Sequence, residues 1–362
     1  MKKLYLFLAI LFFVDLFAQA QKKATDNVVI ITLDGLRWQE LFSGADSVLI
    51  NDPRYTRNAQ RLKDAYWAPT PNERRKKLFP FFWNTIESSG QLHGNRNKGS
   101  KVNVLNEYRY SYPGYNEMFT GFPNDTAGKA NTIEYANKNE SVLEFINNLP
   151  EYKDKVAVFT SWNAFQAIFA KKRSKLFINA GYDSIHIETP VFKLLNDMQW
   201  HVHDAGMPAN ERNDQFTFYM AKEYVKAFKP KLLHIGLVET DNFGHEGNYD
   251  NLLNSANMAD AWIADLWTML QSMPEYKDKT TLLLLTDHGR GDKVKTEWTD
   301  HDTNIAGADE IWFAAMGPGI RPLGEIKQPE QFYQAQLAQT IAKLLGLQFV
   351  AAHPVKAAME GL

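Results

Sequence analysis

Short apolar runs rich in β-branched residues recur along the chain, and between them the apolar positions repeat every three to four residues. The clearest runs are NVVIITL (27–33), KVAVFTSW (155–162), KLLHIGLVE (231–239), TTLLLLT (280–286) and IWFAAMG (311–317). Continuous runs of this kind predict strands buried on both faces of a mostly parallel sheet. Helical periodicity marks SVLEFINNL (141–149), FTFYMAKEYVKAF (216–228), YDNLLNSANMADAWIADLWTMLQSM (249–273) and QFYQAQLAQTIAKLLGL (331–347). The alternation of the two patterns predicts an α/β protein, a three-layer α/β/α sandwich.

Two regions depart from that alternation. Residues 43–108 are polar and aromatic, with APTPNERRKK reading as a loop, and residues 183–215 show little periodicity. Both read as insertions that cap a pocket mouth. ERRKK (73–77) reads as a solvated charge run that could attract an anionic substrate.

The first residues carry Lys2 and Lys3, an apolar stretch from Leu4 to Phe17 broken by Asp15, and Ala18-Gln19-Ala20. This is the charge, apolar core and small-residue cleavage pattern of a signal peptide spanning 1–20. The stretch is short of the ~20 residues a membrane span needs, so no stable anchor is expected after cleavage. The expectation is an exported protein, periplasmic or secreted, with residues 21–362 forming one domain that contains the two insertions.

Composition narrows the chemistry. Hydrophobic residues make up 44% and aromatics 13% of the chain, enough for a large core, and the formal net charge of −2 leaves no nucleic-acid footprint. There is no cysteine, which excludes disulfides, thiolate metal sites and a cysteine nucleophile. Any metal must be held by His, Asp and Glu. No glycine-rich P-loop motif is present.

Three of the strongest strand candidates run into a carboxylate: VVIITLD at Asp34, LLHIGLVETD at Asp241 and LLLLTDH at Asp287. Ligands of open parallel sheets bind outside the carboxyl ends of the strands. Each acid alone could simply cap a following helix. The histidines beside them do not fit that explanation: His245 stands four residues after Asp241, His288 follows Asp287, and His301 lies in the loop before IWFAAMG. On a helical turn Asp241 and His245 would share a face. These six residues suffice for two divalent ions if a substrate or nucleophile supplies one more ligand.

The series ITLDG, then a hydroxyl residue in SYPGYNEMFTG, then DNFGH, TDHG and a late histidine resembles the alkaline phosphatase superfamily, particularly its type I phosphodiesterase and nucleotide pyrophosphatase branch. That resemblance implies an alkaline phosphatase-like fold with two zinc ions, one held by Asp241, His245 and His301 and the other by Asp34, Asp287 and His288. It implies that Ser111 is the nucleophile and that the substrate is a small-molecule phosphate ester, a phosphodiester, nucleotide-like compound or monoester. On local sequence alone, Ser111 before Tyr112-Pro113-Gly114 is a turn residue. Relatives commonly place an Asn three residues after the nucleophile as a phosphate contact; here that residue is Gly114. Asn116 and Arg290 are candidate substitutes.

Sulfatases and phosphoglycerate mutases of the same superfamily are alternative readings, as is an inactive metal-containing binding protein. Sulfatase chemistry is disfavoured because an Arg is expected four residues after the converted residue, where Tyr115 stands. His234, inside a strand run, reads as a core histidine. HVHDAG, with His201, His203 and Asp204, imitates part of a metal motif but reads as a solvated loop; His93, His186 and His353 read as surface residues. Phe243, Trp162 and Tyr115 could stack a base, with core packing as their default role.

Overall fold

The computed structural model of the protein describes residues 23–123, 135–203 and 209–362. The leader predicted at 1–20 lies outside these residues, as does Asp204. Among the described residues no helix is long and apolar enough to cross a membrane.

Among the described residues eleven strands form two sheets. They are β1 (Asn27–Leu33), β2 (Gly90–His93), β3 (Ser100–Asn103), β4 (Val156–Thr160), β5 (Phe177–Ala180), β6 (Leu232–Leu237), β7 (Thr280–Leu285), β8 (Glu310–Ile311), β9 (Phe313–Met316), β10 (Gly324–Glu325) and β11 (Glu330–Tyr333). The large sheet has the order β10-β2-β9-β7-β1-β6-β4-β5, and a small one has the order β11-β3-β8. In the large sheet β9 alone runs against the others, pairing antiparallel with both β7 and β2.

The apolar runs predicted this arrangement because alternate residues feed opposite faces and both faces are covered. Val29, Ile31, Leu33, Ile235 and Leu284 enter one core with the helices Asp214–Phe228 and Tyr249–Ser272. Val28, Ile30, Leu283 and Leu285 enter the other, with the helices Ser111–Thr120, Val142–Asn147 and Leu337–Leu344. The result is the expected α/β/α sandwich.

Several expectations are corrected. APTPNERRKK contains a helix, Pro71–Leu78, because Thr70 and Glu73 form a reciprocal capping box around Pro71. Within ERRKK, Arg75 is buried: its Nη1 lies 2.8 Å from Glu325 Oε1 and its guanidinium 3.4 Å from the Trp83 ring centroid. The segment 331–347 begins as strand β11, passes through a 3-10 turn at Gln334–Gln336 and becomes α-helical only at Leu337. IWFAAMG is split, because Trp312 turns inward to donate Nε1–H to the Leu36 carbonyl (2.8 Å), leaving β8 in the small sheet and β9 in the large one.

His93 is no surface residue. It is buried on β2, with Nδ1 2.6 Å from Glu330 Oε1 and Nε2 2.9 Å from Gln91 Oε1. Glu330 is 237 residues away in sequence, so spacing could not reveal the pair. His201 and His203 end the helix Pro190–His203 rather than lying in a loop, and His201 is exposed. His186 is exposed as expected, while His353 is half-buried and stacks on Phe122.

Candidate active site

Strands β7, β1 and β6 lie side by side and parallel, with Leu33 level with Leu237 and Thr32 with Leu285. The residues that follow them therefore emerge at one edge. Asp34 follows β1, Asp287 and His288 follow β7, and β6 feeds the short helix Glu239–His245. On that helix Asp241 and His245 share a face, His245 Nε2 lying 3.2 Å from Asp241 Oδ2. His301 reaches the same edge after the short 3-10 helix Lys295–Thr299.

All six predicted ligand residues converge there. The ligand atoms of Asp34, Asp287 and His288 lie within 4.8 Å of one another, as do those of Asp241, His288 and His301. His288 Nε2 is 3.3 Å from Asp34 Oδ1 and 3.7 Å from Asp241 Oδ1, and its ring stacks on His301 with centroids 3.8 Å apart. His245 Nε2 is 3.0 Å from His301 Nε2, at the outer, more exposed side of the group.

The electrostatics call for added positive charge. Burial, then the neighbouring Asp287 and Asp241, push the Asp34 carboxyl well above the usual carboxylate range. Burial also raises Asp287. His288 is held up at about 9 because Asp287, Asp34 and Asp241 overcome the burial that lowers it. Asp241 is buried too, yet Arg290 followed by His245, His301 and His288 hold its carboxyl well below the usual range. Burial, then His288, drive His301 down to about 2. Asp287 Oδ2 is buried with no hydrogen-bond partner, the kind of orphan that an unseen ion would satisfy. An all-oxygen and nitrogen donor set with clustered carboxylates fits a divalent cation.

Ser111 is not in an isolated turn; it opens the helix Ser111–Thr120. Pro113 is tolerated in that first turn because its N–H would have no intrahelical partner anyway. The Ser111 side chain lies 3.4 Å from Asp34 Oδ1 and 3.3 Å from His288 Nε2, with the residue 6% exposed. One turn on, Tyr115 donates its hydroxyl to Asp34 Oδ2 at 3.1 Å. Sequence reasoning offered Tyr115 only as a stacking or core residue. Other supports it missed are Thr240, whose hydroxyl donates to the Asp34 carbonyl at 2.5 Å, and Gly35, whose N–H donates to Asp287 Oδ1 at 3.1 Å.

The two substitute phosphate contacts fare differently. Arg290 is at the site but buried, with Nη2 on the Asp241 carboxylate and Nη1 2.5 Å from the Thr299 carbonyl. Asn116 is fully buried and turned elsewhere: its amide donates to Phe122 O at 2.8 Å and its Oδ1 accepts from Asn137 and Asn139, each at 3.0 Å. His234 is a core histidine, bonded to Thr32 Oγ1 at 3.1 Å and pushed down to about 3 by burial. Trp162 packs in the core on one face of the sheet, and Phe243 packs against the core on the other.

The α/β/α sandwich thus gathers carboxylates, imidazoles and a hydroxyl at the carboxyl edge of its central strands, a donor set suited to a divalent cation. Residues 203–349 match the family model described as the Metalloenzyme superfamily. That span holds Asp241, His245, Asp287, His288 and His301 but neither Asp34 nor Ser111. No curated protein matches the chain.

Among solved structures, a variant of the alkaline phosphatase PafA is similar at 12% identity over 93% of this chain and 99% of its own, with a TM-score of 0.64. A putative sulfatase from Bacteroides thetaiotaomicron is similar at 12% identity over 91% of this chain and 72% of its own, TM-score 0.57. The lipoteichoic acid synthase LtaP from Listeria monocytogenes is similar at 12% identity over 90% of this chain and 73% of its own, TM-score 0.55. At such identities these likenesses speak to fold. They show that the chain shares the fold of these proteins, and the family match places a Metalloenzyme superfamily signature in its C-terminal part.

Proposed function

We propose that this chain is an exported, two-zinc phosphoester hydrolase that works through a phosphoseryl intermediate, acting on a phosphodiester, a nucleotide-like compound or a phosphomonoester. In this reading residues 1–20 are removed and 21–362 form a single catalytic domain. Asp34, Asp287 and His288 hold one ion, and Asp241, His245 and His301 the other. The observation that carries the reading is the Ser111 hydroxyl, 3.4 Å from Asp34 Oδ1 and 3.3 Å from His288 Nε2. Bound zinc at such a cluster lowers the pKa of a hydroxyl and offsets the charge of a phosphoryl group.

The chain's own part is positional. The start of the helix presents Ser111 Oγ, and Tyr115 keeps Asp34 turned toward the site. Ser111 Oγ bonds to phosphorus as the ester oxygen departs with a proton as the alcohol. Water then attacks the phosphoserine, phosphate or its monoester leaves, and the proton returns to Oγ. Formylglycine-dependent sulfatase chemistry is disfavoured because Tyr115 occupies the position where that pattern needs Arg, and it is buried against Asp34.

The test is metal analysis of the purified protein followed by hydrolysis of an aryl phosphate, a bis-aryl phosphate and an aryl sulfate. The reading expects two zinc equivalents, turnover of at least one phosphate ester, and loss of that turnover in Ser111→Ala with both ions retained. Aryl sulfate as the preferred substrate, or full activity in Ser111→Ala, would overturn it.

A further inference from the structure

His301 Nδ1 lies 3.1 Å from the carbonyl oxygen of Arg109. A carbonyl can only accept, so the ring must carry its proton on Nδ1 and turn an unprotonated Nε2 toward Asp241 and His245. The acceptor itself sits in an uncommon conformation. Arg109 has φ 54°, in the left-handed region that non-glycine residues seldom enter. What holds it there is Asn106, whose Oδ1 accepts the Arg109 N–H at 2.9 Å.

Asn106 is fixed in turn by a carboxylate. Its N–H and its side-chain amide donate to Glu117 Oε2 at 2.7 and 2.9 Å, while Leu105 N–H bonds both Glu117 oxygens at 2.9 Å and Ala335 N–H reaches Oε1 at 3.2 Å. Glu117 belongs to the helix that begins at Ser111. One residue, Tyr110, separates the carbonyl that orients His301 from the proposed nucleophile.

We propose that Glu117, Asn106 and the left-handed Arg109 peptide form a positioning relay that locks the His301 tautomer and couples its Nε2 direction to the placement of Ser111. None of the three touches the reacting atoms in this arrangement; they act through His301. The inference rests on the metal-binding reading of His301 for its purpose, but its central claim concerns a proton on one ring nitrogen and can be measured without metal.

The experiment uses the full chain, stripped of metal and held at a pH well above the ordinary imidazole range. Nitrogen-15 NMR of the histidine rings, with His301→Gln to assign the signal, reads the tautomer. The wild type is expected to show His301 as Nδ1–H. Asn106→Ala and Arg109→Val, the latter a β-branched residue that resists φ > 0, should shift it toward Nε2–H. Arg109→Gly, which accepts the left-handed backbone and keeps the carbonyl, should retain Nδ1–H even though the Arg109 side chain is gone.

Zinc titration then reads the consequence. Asn106→Ala and Arg109→Val should weaken one of two equivalents by roughly 10–100-fold, as loss of a ligand's supporting bond does, and Arg109→Gly should bind as wild type does. A wild-type His301 in the Nε2–H form, or Arg109→Gly behaving like Arg109→Val, would overturn the relay. A correct tautomer in wild-type protein that takes up no divalent ion would instead remove the proposed function and leave the relay without its role.

Discussion

A Cβ placed on Gly114 would lie 2.6 Å from the carbonyl oxygen of Asp287 and 3.3 Å from its Cβ. The helix that starts at Ser111 thus rests directly on the strand end that carries two of the proposed ligands. No asparagine fits where relatives of the resembled pattern carry one. In a solvent-exposed helix, Gly→Ala usually stabilises by about 1 kcal/mol. Here the sign should reverse: Gly114→Ala is expected to destabilise by roughly 1–3 kcal/mol through overpacking and to reduce phosphate-ester turnover. Thermal unfolding alongside activity decides it, and a more stable variant would contradict the close packing.

Stability should fall as pH rises through neutrality. Burial pushes Glu117 up to about 7 against the backbone and Asn106 donors that lower it, and burial pushes Asp260 up to about 7 against the Phe81 and Phe82 N–H groups. Both carboxyls have folded pKa values above the unfolded value of about 4, so the folded state holds more protons between those limits. The stability each confers is complete below about pH 4 and lost by the time pH passes about 7, on the order of 3 kcal/mol for Glu117. Urea unfolding of metal-free protein at pH 5 and pH 8, conditions lying about either side of neutrality, should show this fall. Glu117→Gln should flatten it, whatever the variant's absolute stability. An unchanged slope would show that Glu117 is ionised throughout.

Arg290 acts on Asp241 through space left by two glycines. A Cβ on Gly244 would lie 2.6 Å from Arg290 Cζ, and one on Gly35 would lie 2.3 Å from Asp241 Oδ1. Gly244→Ala should therefore displace the guanidinium and slacken the Asp241 carboxylate, lowering kcat by roughly 10–100-fold with a near-normal far-ultraviolet circular dichroism spectrum. Wild-type kcat in that variant would mean that the Arg290–Asp241 pair is idle.

Metal removal should cost stability as well as activity. Asp34, Asp241 and Asp287 crowd one edge, and in chelated protein Arg290 and the imidazoles offset their repulsion. Zinc at ~100 times its dissociation constant would add about 2.7 kcal/mol. Scanning calorimetry with chelator and after zinc return should show the Tm fall and recover together with aryl phosphate hydrolysis. A Tm indifferent to zinc would argue that the carboxylates are organised for something other than metal.

The central architecture was legible because its signal is local. β1 has the boundaries its apolar run predicted, and the acids after β1, β6 and β7 advertised a common edge through parallel pairing alone. The gathering of the six candidates needed the spacing of DNFGH and TDHG plus the strand order: Asp34, Asp241, Asp287, His288 and His301 fall into two clusters that share His288, and His245 joins from outside through Asp241 and His301. What stayed hidden depends on partners remote in sequence. His93 looked solitary because Glu330 comes with β11, a strand masked by apparent helical periodicity. Asn116 looked available because nothing nearby reveals that Asn137 and Asn139 consume its oxygen. The capping box at Thr70 and Glu73 was readable in principle, but the surrounding polar composition of 68–77 obscured it.

The reversed direction of β9 has a topological consequence. A parallel neighbour to β7 would have forced the chain back across the sheet through a crossover. With β9 antiparallel, the chain leaves the large sheet after β7 and re-enters it at the same edge, pairing with the small sheet through β8 on the way, and that single excursion carries Asp287, His288, Arg290 and His301. Within it Trp298 is buried and the Thr299 carbonyl holds Arg290, so the same excursion that brings the ligand candidates also anchors them, and the exposed tip at Lys293 and Val294 is free to change composition.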